Sequence, residues 1–245
     1  GEDRVVPVRL PSDFEQRRTR WLESPLRWLE GTAFAPSGDQ VAVLARGRVL
    51  LAGLGSRRQV ELAVPDGVRL RSPVLSPDGR FVYAIADGSG EEEIWRFPAD
   101  GGGGGRALTD DGGIRRWNLY LSPDGRRLAH DDKRGRLWLL EIDSGRNRLI
   151  DDGGADGNEG HAEVAWSPDS RHLALVRATG ANGRNRIGLY AVDAGRLDWL
   201  TSDRYESGSP AFSPDGRWLW FLSQREFRLA NGSPWGDRNT GPFFD

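Results

Sequence analysis

One ten-residue phrase recurs along the chain, and it limits the fold more than any other feature. FSPDGRWLWF at 212–221 is echoed by LSPDGRFVYA at 75–84, LSPDGRRLAH at 121–130 and WSPDSRHLAL at 166–175. APSGDQVAVL at 35–44 is a weaker fifth copy. Their prolines, Pro36, Pro77, Pro123, Pro168 and Pro214, are spaced by 41, 46, 45 and 46 residues. Regular periods in the forties mark stacked supersecondary units, among them the four-stranded blades of propellers.

The chemistry of the phrase points to a hairpin turn. Proline presets φ at the second turn position, aspartate bonds its neighbouring backbone, and glycine accepts positive φ. Gly79, Gly125 and Gly216 are therefore expected at equivalent positive-φ positions. A short strand precedes each turn, as in RSPVLS (71–76) and AEVAWS (162–167). A second follows it: RFVYAIA (80–86), RRLAH (126–130), RHLALVR (171–177) and RWLWFLS (217–223). A third is read in EEIWRF (92–97), GRLWLLEI (135–142) and RIGLYAV (186–192), and a fourth in RALTDD (106–111), NRLIDD (147–152) and DWLTSD (198–203). Several of these runs are apolar at consecutive positions, which suits sheets buried on both faces. The expected fold is all-β, a partial β-propeller of four-stranded antiparallel blades. Residues 1–30 are read as a linker with a turn of helix, interrupted by Pro25. Residues 31–245 are read as repeats near 31–66, 67–111, 112–156, 157–203 and 204–245. The fifth repeat stops after its second strand, so an arc with an exposed open side is expected. Trp218, Trp220 and Phe221 lie on that edge.

Composition excludes several function classes. The 245 residues carry a formal net charge of −2 with both signs interleaved, so neither nucleic acid nor a membrane is an expected partner. No apolar run approaches the roughly 18–20 residues of a membrane helix. No apolar leader opens the chain, and the expected compartment is the cytoplasm, with a periplasmic or secreted location as the alternative. With no cysteine, there is no disulfide framework or thiolate metal site. Methionine is absent even at position 1, so the chain is read as an internal piece of a longer protein.

No reaction centre is legible. The chain has three histidines. His130 and His172 are read as structural residues at matching strand positions after the turn, and neither they nor His161 sits in H-E-x-x-H. No serine lies in G-x-S-x-G. The glycine run Gly101–Gly105 lacks the lysine of a phosphate loop and reads as a slack connection. In the acidic stretch 151–163, counting from Asp152 places Asp156 fifth, Gly157 sixth and Glu163 twelfth. Gly154 and the charged Glu159 break the calcium pattern, and both flanks read as strand. No catalytic residue, no metal and no cofactor is therefore expected.

The S-P-D-G blade with an RLT or WLT fourth strand resembles a broad group of propellers. It includes TolB-like proteins, the gating propellers of prolyl oligopeptidases and tricorn-type proteases. SPDGRW is also similar to the aspartate-box turns of sialidases, although here Gly216 directly follows Asp215. The unrepeated segments are more selective. VPVRLPSDFEQRRTRWLESPLRWLEGTAFAPSGDQVAVLARGRVLLA resembles the start of the second, seven-bladed propeller of bacterial tricorn proteases. RWNLYLSPDGRRLAHDDKRGRLWLLEIDSG resembles one of its inner blades. The tail LTSDRYESGSPAFSPDGRWLWFLSQREFRLANGSPWGDRNTGPFFD is the most specific match, with SPWGDRN and PFFD intact and Gln224 in place of the usual aspartate.

The resemblance implies a non-catalytic part of a serine protease that degrades peptides, about four and a half blades of seven. It implies an access channel for peptides or unfolded polypeptide. The expected partners are the remaining blades, a PDZ-like domain and catalytic domains in the parent chain, which is expected to be a homo-oligomer. None of the family's catalytic residues has a position here. A TolB-like protein-binding propeller and the gating propeller of a prolyl-oligopeptidase-type hydrolase stay open as alternatives. By analogy with similar propellers, the strand before each turn lies nearest the axis. Arg71, Arg115, Arg116, His161 and Glu206, read as lying just before those strands, would then rim one channel mouth, where arginines attract peptide carboxylates. The bland alternative is solvated loop charge.

Overall fold

The computed structural model describes residues 21, 23–53, 55, 59–153, 163–179 and 183–224. A 3-10 turn at Pro25–Trp28 leads into β1, with Pro25 at its start where a missing N–H costs nothing. The first sheet runs β1 (Leu29–Phe34), β2 (Gln40–Ala45), β3 (Arg48–Gly53) and β4 (Val60–Glu61). The second holds β5 (Leu70–Leu75), β6 (Phe81–Ala86), β7 (Glu93–Pro98) and β8 (Arg106–Ala107). The third holds β9 (Arg116–Leu121), β10 (Arg127–Asp132), β11 (Leu137–Glu141) and β12 (Asn147–Asp151). The fourth holds β13 (Val164–Trp166), β14 (His172–Thr179), β15 (Arg184–Ala191) and β16 (Arg196–Trp199). The fifth pairs β17 (Glu206–Phe212) with β18 (Leu219–Gln224).

Each sheet is an antiparallel meander, ordered as its strands occur in the chain. The first strands pack side by side from sheet to sheet: β1 against β5, β5 against β9, β9 against β13, and β13 against β17. That is the inner line of a propeller, and the described sheets form an open arc of it rather than a closed ring.

Apolar residues at consecutive positions have a direct explanation. Along β6, Val82, Ala84 and Ala86 face the first sheet and pack with Leu44, Leu51 and Leu62. Tyr83 and Ile85, on the other face, pack with Leu119, Leu128 and Leu140 of the third sheet. The period of two is intact, but both faces are buried. The third and fourth sheets repeat the arrangement through Leu137 and Leu139 against Leu173 and Leu175. A fully buried leucine or valine here contributes about 1.5–3 kcal/mol by leaving water, so these seams are the main cohesive force of the arc.

The S-P-D-G turns close in one way. Ser76, Ser122, Ser167 and Ser213 each donate a 2.6 Å hydrogen bond to the aspartate two residues on. The same hydroxyls accept from the N–H five residues on at 2.8–3.0 Å. Gly79, Gly125 and Gly216 have φ of 68°, 68° and 69°, as expected, and Ser170 takes φ 60° at the same place. The weaker copy differs: Gly38 (φ 73°) precedes Asp39 instead of following it.

Some expectations are corrected. The fourth strand of the second sheet is only Arg106–Ala107, not 106–111. The glycine run before it is pinned at its two ends, Gly101 and Gly105, whereas Gly103 and Gly104 have nothing within 4 Å of a Cβ. A side chain on Gly105 would lie 2.2 Å from the Phe97 ring, so the backbone lies directly on that ring. His130 and His172 do not occupy matching positions. His130 is fourth in β10, opposite Leu119 and Trp138, whereas His172 opens β14 opposite Ala191.

Candidate functional site

The connections that enter the inner strands gather at the end of the arc opposite the S-P-D-G turns. Arg71 is the second residue of β5 and is half-buried. It makes a 2.5 Å ion pair with Glu92 and donates to the Arg116 carbonyl at 3.0 Å. Beside it, the Ser72 hydroxyl donates to the Trp117 carbonyl at 2.8 Å. The second and third sheets are thus tied together where their inner strands begin.

Arg115 stands just before β9. Its side chain is exposed, with the guanidinium 4.6 Å from the centre of the Trp117 ring. A cation on an aromatic face keeps its charge available while its rotamers are restrained. Glu206 opens β17 and accepts from the Asn185 backbone at 3.0 Å and its side-chain amide at 2.7 Å. His161 lies outside the described residues, as do 154–162 of the acidic stretch. Glu163, the last residue of that stretch, accepts hydrogen bonds from the Ser209 amide and, at 3.5 Å, its hydroxyl. Among the described residues no cluster of histidine and carboxylate side chains is arranged to hold a metal ion.

Arg116 departs from both sequence readings, because it is neither a solvated loop charge nor an open rim cation. Its side chain is 2% exposed, between the second and third sheets. It pairs with Asp111, and with Glu93 at 3.4 Å. It donates to the Glu92 carbonyl at 3.2 Å and approaches His130 Nδ1 at 3.2 Å. Because an arginine has only donors, Nδ1 must be the acceptor, and the ring proton sits on Nε2. Nε2–H then donates to Asn147 Oδ1 at 3.1 Å. The Asn147 amide donates to Asp111 Oδ2 at 3.3 Å, which closes a ring of four side chains. Around it, Glu93 accepts from the Gly112 amide at 2.5 Å and from the Thr109 hydroxyl.

The environment fixes the charge states. Burial, and then the charge of Arg116, push the His130 imidazole down to about 3, so it is neutral. Burial raises Asp111, but the charge and hydrogen bonds of Arg116 outweigh it and hold the carboxyl below its usual range. Arg71 and Arg116 therefore face Glu92, Glu93 and Asp111, which leaves this end of the arc without excess positive charge. Arg115 is the sequence-expected arginine that points its charge outward.

Sequence reasoning brought Arg71 and Arg116 together but missed their partners. EEE at 91–93 was the available signal, since three consecutive carboxylates at a strand start, with two buried or half-buried, need cations nearby.

Comparison with known proteins bears on the family of the chain. Residues 29–233 match the family described as the tricorn protease second beta propeller domain. The chain is 26% identical over 226 residues to a tricorn protease homolog of Saccharolobus solfataricus, covering 92% of this chain and 20% of that protein. It is 32% identical over 209 residues to tricorn protease homolog 1 of Streptomyces coelicolor, covering 82% of this chain and 19% of that protein. The crystal structure of the tricorn protease superposes with a TM-score of 0.71 at 16% identity, over 90% of this chain and 21% of that one, a likeness of fold. The chain thus spans about a fifth of the length of these curated relatives.

Proposed function

The chain belongs to the family of the tricorn protease second β-propeller domain, and on that premise we propose that it forms part of the wall of a passage leading peptides to a protease site elsewhere in its parent protein. The family match across 29–233 carries this reading. The inner line of strands, with Arg115 and Trp117 where β9 begins, supports it.

In this proposal the parent is a serine-type peptidase that degrades peptides, and this part supplies no catalytic group. Its inner strands set the bore, each hydrogen-bonded to a neighbouring strand along one edge only. Arg115 supplies long-range attraction for a peptide carboxylate, and Trp117 an aromatic surface beside it. Both interactions are weak, as a passage requires, since tight binding would block transit. The remaining blades, a PDZ-like domain, catalytic domains and a homo-oligomeric parent belong to the same proposal.

The test uses the full-length parent enzyme. Arg115→Glu should raise KM about two- to fivefold for peptides with a free C-terminal carboxylate, the range expected of an exposed charge, with kcat unchanged. C-terminally amidated peptides should respond less. An equal loss on both peptide types would overturn the assignment of Arg115. The purified chain alone should hydrolyse no fluorogenic peptide, and activity that disappears with one of its own serines would overturn the non-catalytic role.

A further inference from the structure

The ring around Arg116 does more than fill a seam. Residues 110–115 connect the second sheet to the third and carry Arg115. Much of what holds this connection passes through the ring or its immediate neighbours. Asp111 is bound to Arg116 and Asn147. The Gly112 amide donates to Glu93, whose carboxylate also pairs with Arg116. The Arg116 amide donates to Glu92 at 2.9 Å. A further tether is the Arg115 carbonyl, which accepts from the Lys133 amide at 2.8 Å.

We propose that residues 110–115 form an acid-released strap with His130 as its trigger: a proton on Nδ1 breaks the ring of Arg116, His130, Asn147 and Asp111 and frees the segment that carries Arg115.

The geometry makes the proton and the closed ring mutually exclusive. In the closed ring Nδ1 is an acceptor facing a guanidinium N–H. A proton there sets donor against donor and cation against cation at 3.2 Å between two buried side chains. Each element packed on the imidazole contributes a fixed group. Arg116 comes from β9 and Asp111 from the strap. Asn147 comes from β12, and the Trp138 ring of β11 stacks at 6.4 Å with planes 7° apart. Glu93 of β7 reaches the imidazole only through Arg116. On the strand of His130 itself, Asp132 is held by Arg136 at 2.7 Å and by the Trp138 indole N–H at 3.0 Å. Asp111 and Asp132 favour the proton, but burial and Arg116 oppose it more strongly. Nδ1 must therefore part from Arg116, and the ring open, before His130 takes up a proton.

The sign follows from linkage. The proposal requires that in the open state, with Nδ1 parted from Arg116, His130 return toward its ordinary value of 6.5, against about 3 in the closed state. The closed strap is fully stable above the open-state value and loses stability as pH falls from there toward the closed-state value. The proposal concerns the strap itself and does not depend on whether Arg115 meets peptide.

Amide hydrogen exchange on the chain tests it, with each rate divided by the free-peptide rate at the same pH. Between about pH 7.5 and about pH 5, protection at the Gly112 and Arg116 amides should fall about tenfold or more. The Gly79 amide, bonded to the Ser76 carbonyl in a distant turn, should stay within about twofold. His130→Asn places a carbonyl oxygen near the Nδ1 position and cannot take the proton, so its strap amides should follow Gly79. Equal loss at Gly79, or equal loss in His130→Asn, overturns the proposal. Should that variant not fold, the ring protons of His130 in the unmodified chain decide the matter. A titration midpoint above about pH 6, or none above that value without loss of protection at Gly112 and Arg116, overturns the trigger; a lower midpoint together with that loss supports it.

Discussion

The hydroxyl of Ser170 accepts a 3.0 Å hydrogen bond from the backbone N–H of Asp124, one turn reaching into the turn of the preceding sheet. Ser170 stands where the other S-P-D-x turns have glycine, at φ 60°, and it is 1% exposed. A non-glycine residue there costs about 1 kcal/mol or more in backbone strain. The hydrogen bond offsets it by about 0.5–1.5 kcal/mol. The two terms nearly cancel, so serine is tolerated at a glycine position without a large loss.

Two substitutions separate these terms. Ser170→Ala keeps the strain and loses the bond, so it should destabilise by about 1 kcal/mol. Ser170→Gly loses both and should stay within about 0.5 kcal/mol of the parent. Denaturant unfolding measures the order, and an alanine variant as stable as the parent would show that the inter-turn bond contributes nothing.

The same stacking is tighter at Gly125. A side chain there would sit 3.1 Å from Cδ of Pro77 in the preceding turn, at φ 68°. Gly38 has the same kind of φ, 73°, with nothing within 4 Å. Gly38→Val should therefore cost the strain alone, about 1–2 kcal/mol. Gly125→Val should cost at least about 1 kcal/mol more, because two turns must separate. Equal costs would mean that the turns do not pack on one another.

How much of this was legible depends on the range of each interaction. The turns were readable because their chemistry is closed within six residues: Ser76, Asp78, Gly79 and Phe81 satisfy one another. The buried double face of β6 was readable for the same reason, as an uninterrupted apolar run. Arg116 was not. Its carboxylate partner in the second sheet, Glu93, is 23 residues away, and its imidazole partner lies across a hairpin. In sequence its charge looks like that of Arg115, its neighbour, yet one is buried and the other exposed. Strand alternation separates them, but only once the register of β9 is known. The glycine run was misread because the Phe97 ring that Gly105 covers leaves no local mark.

Acid should weaken the turns in a window of its own. The Ser76 hydroxyl, then the amide and side chain of Arg80, bring Asp78 down to about 2. A carboxyl depressed in the folded state stabilises fully above its unfolded value of roughly 3.9, and that contribution is lost as pH falls toward the folded value. Asp169 and Asp215 are lowered by the same kind of serine contact, so these three turns act together. Ser76→Ala should move the Asp78 midpoint upward, read by carbon-detected NMR of the side-chain carboxyl. An unmoved midpoint would show that Arg80 alone sets it. The His130 strap, by contrast, responds at higher pH, where these carboxyls are still ionised.

The last strand predicts how the isolated chain behaves in solution. β18 pairs with β17 on one side, and among the described residues no third strand covers the other. Trp220 and Leu222 alternate along it and share one face, 64% and 70% exposed, with Trp218, 60% exposed, just before the strand. An uncovered strand edge beside an exposed aromatic face recruits further chains. The isolated chain should therefore associate with rising concentration, measured by light scattering. Trp220→Lys with Leu222→Lys should suppress this, since charge on that face opposes stacking and leaves the β17 pairing intact. If the unmodified chain were monodisperse at every concentration, β18 would have to be covered, and the open arc would be the wrong description of the chain in solution.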